Sequence, residues 1–368
     1  SAQRMDLFSE HKYSWQTSPV MIGYRQSLFG YNSLKWDKRI EPVRYQEAKK
    51  SYVETLELVS ANAINKFFAL ATAQSNYDIA SFNYTNADTL YRYAQGRYNI
   101  GTITENEMLQ LELNRLTEET NRMNARIEMD NCMQELRSYL GIQEDRELRV
   151  RINSQVPDFS VNLDEALALA YENSPDIQTM KRRKLASESA VARARANAGL
   201  KADIYLRFGL TQTAEKLPDA YRNLLDQYVS LSIALPILDW GRGKGQVRVA
   251  RSNRDLVYTQ VEQNRTDFEL NVRKLVKQFN LQTQRVRIAA RTDETAQRRN
   301  EVARKLYILG KSTILDLNAS IAEKDSARRN YVSALYNYWS LYYTLRSMTL
   351  YDFERNMLLT EDYNLLIE

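Results

Sequence analysis

Histidine and cysteine are almost absent from this chain of 368 residues, which has one of each, His11 and Cys132. A single cysteine excludes a disulfide within the chain, and one histidine with one cysteine excludes the usual Cys/His metal sites. Catalysis of the Ser-His-Asp or Cys-His kind would depend on His11, and no motif surrounds it. We therefore expect no enzyme and no cofactor, assign no role to His11, and interpret Cys132 as a small packing residue on a helix.

Glycine and proline are also scarce, at 11 and 6 residues, and so few helix breakers allow unusually long helices. The chain has no run of about 18 apolar residues, which excludes a transmembrane helix, whereas the alternating strands of a membrane β-barrel remain allowed. The net charge of +5 is modest, and the basic residues are spread along the chain among acidic ones. A nucleic-acid partner would need them gathered on one face, so we expect no nucleic-acid binding.

Three segments alternate between apolar and more polar residues with period two, which predicts β-strands. The apolar positions are Val20, Ile22, Tyr24 and Leu28 within 19–28, Ile204, Leu206, Phe208 and Leu210 within 203–211, and Val229, Leu231, Ile233 and Leu235 within 228–235. Two interpretations fit such strands: one face on the core of a soluble sandwich, or an apolar exterior around a polar lumen. Few further strand patterns exist, so the second sheet of a sandwich is missing.

After two of these strands the apolar period changes to about 3.6 residues, which predicts helices. One helix is expected to carry Pro42 in its first turn and to run to about Asn99, and another to run from Gly245 to about Leu309. The second has a stripe at coiled-coil spacing, comprising Val257, Val261, Phe268, Val272, Leu275, Phe279, Val286 and Ala290, with Asn264 and Gln282 filling gaps. Helices of roughly 57 and 65 residues would span about 85–100 Å, so they must pack side by side with others.

The turn that ends each long helix occurs twice, 209 positions apart (310 − 101). Residues 98–104, Tyr-Asn-Ile-Gly-Thr-Ile-Thr, align with residues 307–313, Tyr-Ile-Leu-Gly-Lys-Ser-Thr. An acidic residue follows at the same spacing, Glu107 and Asp316. The returning helices are expected over two ranges, about 104–141 and 313–350.

A repeat of this length indicates that one architecture, a strand running into two very long helices, was duplicated. Two further helices are expected before the second copy, one ending near Asn173 and the next starting at Pro175 after the capping Ser174. The counterpart of the region 163–199 in the first repeat would lie 209 positions earlier, before residue 1. We therefore expect the helices that open the first repeat, and most of its first strand, to be absent from this sequence.

Four features follow one another along most of the chain. They are Leu163-Asp164-Glu165-Ala166-Leu167 leading to Asn173-Ser174-Pro175, the Ala/Arg-rich helix that runs into Ala202-Asp203-Ile204-Tyr205, the strand-to-helix passage 235–241 with its echo at 26–32, and the duplicated Tyr-x-x-Gly turn with its acidic residue. Together they closely resemble the TolC-like outer membrane efflux family.

The resemblance implies a mainly α-helical fold with a membrane β-barrel. Long helical hairpins form an α-barrel tunnel, and each chain of a homotrimer gives four strands to one shared 12-stranded barrel. It assigns barrel strands and loops to 1–32 and 202–238, a first helical hairpin to 42–141, a linker to 143–162, the helices entering the second repeat to 163–200, a second hairpin to 241–350 and a C-terminal tail to 351–368. The strands support an oligomer independently, because three or four strands cannot close on themselves and open edges are not tolerated in lipid.

The function that the resemblance implies is an exit duct in the outer membrane of a Gram-negative bacterium, extending into the periplasm. Such a duct is a passive channel of a tripartite efflux or type I secretion system, without a cofactor of its own. Its partners are outer membrane lipid, a periplasmic adaptor protein and the inner-membrane transporter that drives it. The alternative is a soluble coiled-coil scaffold or membrane-surface protein with a small sheet.

The resemblance gives the duplicated turns two roles. They dock the adaptor through Gly101, Thr102, Thr104, Gly310, Lys311 and Thr313, and a channel gate is formed by Tyr98, Glu107, Tyr307 and Asp316. A purely local interpretation is also open. The glycines end their helices in the left-handed conformation, and the acids favour the helix dipole in the first turn of the returning helices.

The glycine-rich stretch 241–245, Gly-Arg-Gly-Lys-Gly, lacks the spacing of a phosphate-binding loop and the Ser or Thr that follows its lysine. We interpret it as a flexible point that re-aims the chain between strand and helix. Trp240 and Tyr31 occupy equivalent positions beside the two strand-to-helix passages. They either mark a membrane interface or pack the junction.

Overall fold

The computed structural model describes residues 2–7, 12–143, 148–153, 155–219, 226–234, 239–309 and 311–359. His11, Leu235, the passage 236–238, Gly310 and the end of the predicted tail lie outside the described residues. The chain forms two compact units. We call Ser1–Glu47 with Gln178–Thr266 the sheet unit, and Ala48–Ile177 with Asp267–Glu368 the hairpin unit.

The elements follow the duplicated order that the sequence predicts. They are β1 (Ala2–Leu7), β2 (Lys12–Ser27), α1 (Ser33–Asn99), α2 (Glu105–Leu140), α3 (Leu163–Asn173), α4 (Pro175–Ala198), β3 (Lys201–Ala214), β4 (Asp226–Ala234), α5 (Arg242–Ile308), α6 (Ile314–Thr349), β5 (Tyr351–Asp352) and β6 (Met357–Leu358). Within the described residues, no helix carries an apolar stretch long enough to cross a bilayer.

The sheet unit contains a four-stranded antiparallel sheet in the order β1-β2-β3-β4. Its register aligns apolar residues across the strands, since Ile22 lies opposite Phe208 and Leu206 lies opposite Val229. This apolar face is open to the surroundings: Ile22 is 69% exposed and Val229 is 71% exposed. The alternation therefore does not cover a core in this chain.

The edges of that sheet are the outer sides of β1 and β4, since each of these strands pairs with one neighbour among the described residues. The alternation did not reveal β1, because residues 2–7, Ala-Gln-Arg-Met-Asp-Leu, show no regular apolar pattern; a fourth strand was implied only by the family resemblance, which assigned strands and loops to 1–32. Pairing with β2 over six positions, from Ala2 opposite Thr17 to Leu7 opposite Lys12, makes it a strand. Tertiary pairing decides strand formation here, as it often does.

Both long helices begin earlier than predicted. α1 starts at Ser33, with Asn32 accepting the Lys35 N–H through its side chain (3.0 Å). The expectation that Pro42 lies in the first turn is therefore wrong, and Pro42 is inside the helix. The predicted start followed the proline, which is favoured in a first turn, but the actual start follows the asparagine, which is a strong N-cap.

α5 likewise starts at Arg242, not at Gly245. The Asp239 carboxylate accepts the backbone N–H groups of Gly241 (3.0 Å) and Gly243 (2.8 Å). Only Gly241 has a left-handed conformation in this stretch, with φ of 80°. A Cβ at Gly243 would lie 3.0 Å from the Cβ of Ala198. The stretch thus re-aims the chain as predicted, through a capped turn at Gly241, while Gly243 lies in α5 and allows close approach to α4.

The predicted stripe of α5 is buried in the hairpin unit. Phe268, Val272, Leu275, Phe279, Gln282 and Val286 are all at most 7% exposed. Gln282 fits this stripe because its side-chain amide donates to the Ala334 carbonyl on α6 (3.0 Å). Asn264, which belongs to the sheet unit, is exposed, so its assignment to the stripe is wrong.

Two series of α1 residues recur at seven-residue spacing in the first hairpin. Small residues are buried at Ala73, Ala80, Ala87 and Ala94. On the second series, arginines of α2 lie over tyrosine rings: Arg126 over Tyr77 (5.6 Å), Arg122 over Tyr84 (4.2 Å) and Arg115 over Tyr91 (5.5 Å). Cation–π contacts of this kind are favourable by about 0.5–1 kcal/mol each at exposed sites.

Cys132 on α2 packs against the buried cluster of Leu70, Ala73, Met129 and Leu136. Burial raises the pKa of its thiol, and the neighbouring Glu128 raises it further. The interpretation of Cys132 as a packing residue is confirmed.

A buried ion-pair network joins α1, α6 and the segment after α6. Arg346 donates to Glu57 (2.9 Å) and lies 3.3 Å from Asp352, which also accepts the Tyr342 hydroxyl (2.8 Å). Burial raises the pKa of Glu57 more than Arg346 lowers it. Burial would also raise the pKa of Asp352, but the Tyr342 hydroxyl, the Arg355 N–H and the Arg346 charge together lower it. Asp352 is therefore the carboxylate that balances Arg346.

We predict that Arg346→Met destabilises the protein by about 3–5 kcal/mol, because two buried carboxylates lose their common cation. Loss of helical circular dichroism on denaturation in detergent measures this. Arg329→Met, an exposed change on the same helix, is the control. The loss of stability caused by Arg346→Met should become smaller as the pH falls, since Glu57, whose pKa is raised, then takes up a proton. Equal stabilities of the two variants would contradict the role of the network.

Candidate functional site

The first duplicated turn is a closed helix end in the hairpin unit. Gly101 has φ of 73°, and its N–H donates to the Tyr98 carbonyl (2.8 Å). The Thr102 N–H donates to the Arg97 carbonyl (2.9 Å). These two bonds define a Schellman motif, which needs a left-handed residue at the glycine position. Gly101 is thus required by the turn itself.

The second turn repeats one of these bonds at the same offset. The Lys311 N–H donates to the Leu306 carbonyl (2.9 Å), as Thr102 does to Arg97. Gly310 lies outside the described residues, so its conformation stays a prediction. The matching bond indicates that the two helix ends are built alike.

Each returning helix begins with a capping box. Thr104 accepts the Glu107 N–H (3.3 Å) while Glu107 accepts the Thr104 N–H (3.0 Å). Thr313 and Asp316 form the same reciprocal pair at 3.2 and 3.4 Å. Hydrogen bonds from the Thr313 hydroxyl and backbone lower the pKa of Asp316. The local interpretation of both acids is therefore confirmed, and it leaves Asp316 as an exposed, ionised carboxylate beside the turn.

The two predicted gate tyrosines differ in surroundings. Tyr98 is 39% exposed. Tyr307 is half-buried and lines a small cavity of about 180 Å³ together with Leu90 and Tyr93 of α1 and Leu317 of α6. Burial raises the pKa of Tyr307, while the nearby Arg97 lowers it. Because residues of both hairpins line this cavity, the two hairpin ends lie side by side.

Exposed apolar side chains surround the turns, and sequence analysis missed them. Ile100, Leu309 and Leu315 are 73%, 66% and 76% exposed. We call these three residues, with Thr102 and Lys311, the tip patch. Periodicity could not identify them, because they flank or occupy turns. Their position could have identified them, because apolar residues lie around the turns where a solvated loop would carry polar ones.

The tip patch offers chemistry suited to binding. It combines exposed apolar groups, a lysine and, nearby, ionised Asp316. Within the described ranges, no group of three or more His, Cys, Asp or Glu residues is placed to hold a metal ion.

A protein-family model described as outer membrane efflux protein matches residues 166–349, which is half of the chain. The chain belongs to the outer membrane efflux protein family. No curated protein sequence matches it.

Solved structures of outer membrane channels share the fold. The CmeC outer membrane channel of Campylobacter jejuni superposes with a TM-score of 0.79 at 15% identity, over 100% of this chain and 79% of that one. VceC of Vibrio cholerae gives 0.74 at 14% identity, over 95% and 85%. The open MtrE channel of Neisseria gonorrhoeae gives 0.74 at 14% identity, over 95% and 79%.

Membership of the efflux family confirms the family, fold and location that the sequence predicted. The protein is an outer membrane efflux duct with the mainly helical fold of these channels, and it extends into the periplasm. The soluble-scaffold alternative is thereby set aside. The roles of the individual turn residues stay predictions.

Proposed function

We propose that this efflux protein is the exit duct of a tripartite export system, in which three copies share one barrel and an inner-membrane transporter acts through a periplasmic adaptor. The exposed apolar face of the sheet is the observation that carries this proposal. In water such a face would favour aggregation, whereas in an outer membrane it is the lipid-facing exterior of a barrel.

The open sheet edges support sharing between copies. Unpaired backbone groups of β1 and β4 cannot be satisfied by hydrocarbon, and the smallest common membrane barrels have about eight strands. One chain with four strands is therefore insufficient. Pairing of β1 in one copy with β4 in the next satisfies both edges, and three copies give the twelve strands that the resemblance implies.

The duplicated turns support docking of the adaptor at the tip patch. Thr102 and Lys311 are exposed beside Ile100, Leu309 and Leu315. Thr104 and Thr313 have their hydroxyls engaged in capping, so we assign them, together with Gly101 and Gly310, to shaping the turns. The apolar members supply the buried area on docking, and the polar members orient the adaptor.

Site-specific cross-linking tests this docking. We replace Cys132 by serine, place single cysteines at Thr102 or Lys311, and treat cells with a bifunctional cysteine-amine reagent. Adducts with the adaptor, identified by mass spectrometry, are expected at both positions. They should fall several-fold when Ile100→Asp is added, because a charge then occupies the apolar surface.

The control cysteine replaces Asn124, an exposed residue on α2 away from the turn. It should give no adaptor adduct. Equal labelling at Asn124 and Lys311, or none at either turn, would contradict docking at the tip patch.

We also propose that the four gate residues act in two ways. Glu107 and Asp316 place charge at the end of the tunnel, where three copies would form acidic rings that attract cations. Tyr98 and Tyr307 restrict the opening, Tyr307 through its packing against α1. The capping boxes support this division, because they fix both acids beside the turns.

Asp316→Ala with Tyr307→Phe is predicted to raise single-channel conductance in planar bilayers, by loosening the closed end. The variant Asp316→Asn removes the negative charge but keeps the helix cap, since its amide oxygen can still accept the Thr313 N–H. If the charge matters, Asn reduces cation selectivity as much as Ala does, and the effect weakens at 1 M salt, where the Debye length is about 3 Å. Unchanged conductance and selectivity in both variants would rule out a gate at these residues.

A further inference from the structure

Trp240, at the junction between β4 and α5, is 94% exposed. Its φ of 54° is left-handed, a conformation that bulky side chains rarely adopt. The turn is fixed by Asp239, which accepts the Gly241 and Gly243 N–H groups. Strain of this kind persists only when the surrounding structure enforces it, and it concentrates at functional positions. Here the enforced turn holds a large indole away from the protein.

Basic residues follow Trp240 on α5. Arg242, Lys244, Arg248 and Arg251 are all exposed, and no acidic residue lies between Asp239 and Asp255. Within the described residues, Arg242, Arg248 and Arg251 form no ion pair. The helix end is not itself the binding feature, because Asp239 already caps it. The feature is a set of exposed cations next to an exposed indole.

The equivalent junction of the first repeat is built differently. Tyr31, the counterpart of Trp240, is packed inward: its hydroxyl lies 2.5 Å from that of Ser189, and Arg193 lies 4.6 Å from its ring centre. Phe29 and Leu34 are the exposed apolar residues there, at 59% and 78%. The second junction is the more basic of the two and the one with an exposed tryptophan.

The position of Trp240 along the fold indicates its surroundings. The apolar face of β4 continues to Ile233, which is 64% exposed, and α5 begins at Arg242. Because the strands lie in the outer membrane and the helices extend into the periplasm, the junction between them meets the inner leaflet of that membrane. Tryptophan is favoured at membrane–water interfaces, and exposed Lys and Arg attract anionic lipid headgroups.

We propose that Trp240, Arg242, Lys244 and Arg248 form a binding surface for anionic phospholipid headgroups of the inner leaflet. The indole lies among the lipid carbonyls, and the basic side chains of α5 bind the phosphate groups. This inference rests on the proposed barrel, whose strands set the depth of the junction. The surface fixes the vertical position of the sheet unit in the membrane.

Brominated lipids quench tryptophan fluorescence at short range and provide the test. The protein and its Trp240→Phe variant are reconstituted in mixed vesicles of phosphatidylglycerol and phosphatidylcholine, in which either the one lipid or the other is brominated. The difference between the two proteins isolates Trp240 from the other tryptophans among the four in the chain. Trp240 should be quenched several-fold more by phosphatidylglycerol, and the excess should fall as salt shortens the Debye length.

The triple variant Arg242→Gln, Lys244→Gln, Arg248→Gln should abolish the excess while leaving basal quenching by phosphatidylcholine. The matched control removes three exposed charges farther along the same helix, Lys274→Gln, Lys277→Gln and Arg285→Gln, and should keep the excess. Equal quenching by the two lipids, or the same loss in the control, would overturn the proposal. The proposal would also be overturned if neither brominated lipid quenched Trp240 fluorescence and if only added adaptor protein changed that fluorescence.

Flotation of the vesicles on a density gradient separates the two levels of inference. Protein that fails to float with the lipid would overturn the proposed barrel and therefore the proposed function. Protein that floats with an unquenched Trp240 would overturn only the lipid-binding surface.

Discussion

The constraint on which the rest of this structure depends is a sheet whose apolar face and edges are left uncovered by the part of the chain that the structure describes. Ile22 and Val229 face outward in register with their neighbours across the strands, and β1 and β4 each pair with one neighbour among the described strands. Lipid can cover the apolar face but cannot satisfy the backbone groups of an edge. Additional copies must supply that pairing, so the architecture of one chain implies an assembly.

The helical part depends on a different constraint, because the two helices of each long hairpin must stay aligned along their length. The two repeats share the capping box and one matching hydrogen bond of the turn, and the helices of each hairpin pack through different contacts. In the first, α2 arginines lie over α1 tyrosines and small alanines are buried at seven-residue spacing. In the second, buried polar groups such as Gln282 are satisfied across the α5–α6 pair. The two copies differ in their contacts even at equivalent positions, as Tyr98 and Tyr307 illustrate.

Local features were predictable from sequence, because their causes lie within a few residues. Thr104 with Glu107 and Thr313 with Asp316 read directly as helix starts, and the alternation of β2, β3 and β4 needed no tertiary knowledge. Features set by distant contacts were not predictable: β1 forms only by pairing with β2, and the close approach of α4 leaves no room for a Cβ at Gly243. The starts of α1 and α5 were misplaced because Asn32 and Asp239 cap them, although both caps are visible in the sequence. The exposure of Trp240 and of the tip patch required the three-dimensional arrangement.

The central claim is that the sheet is completed by other copies of the same chain. Native mass spectrometry of the protein released from outer membranes in mild detergent measures the number of copies in each particle. The account predicts particles of three copies. When the β1 and β4 edges of neighbouring copies are separated, no single chain should remain folded. A stable single-copy particle that keeps its strand content, or an open series of ever larger species, would contradict it.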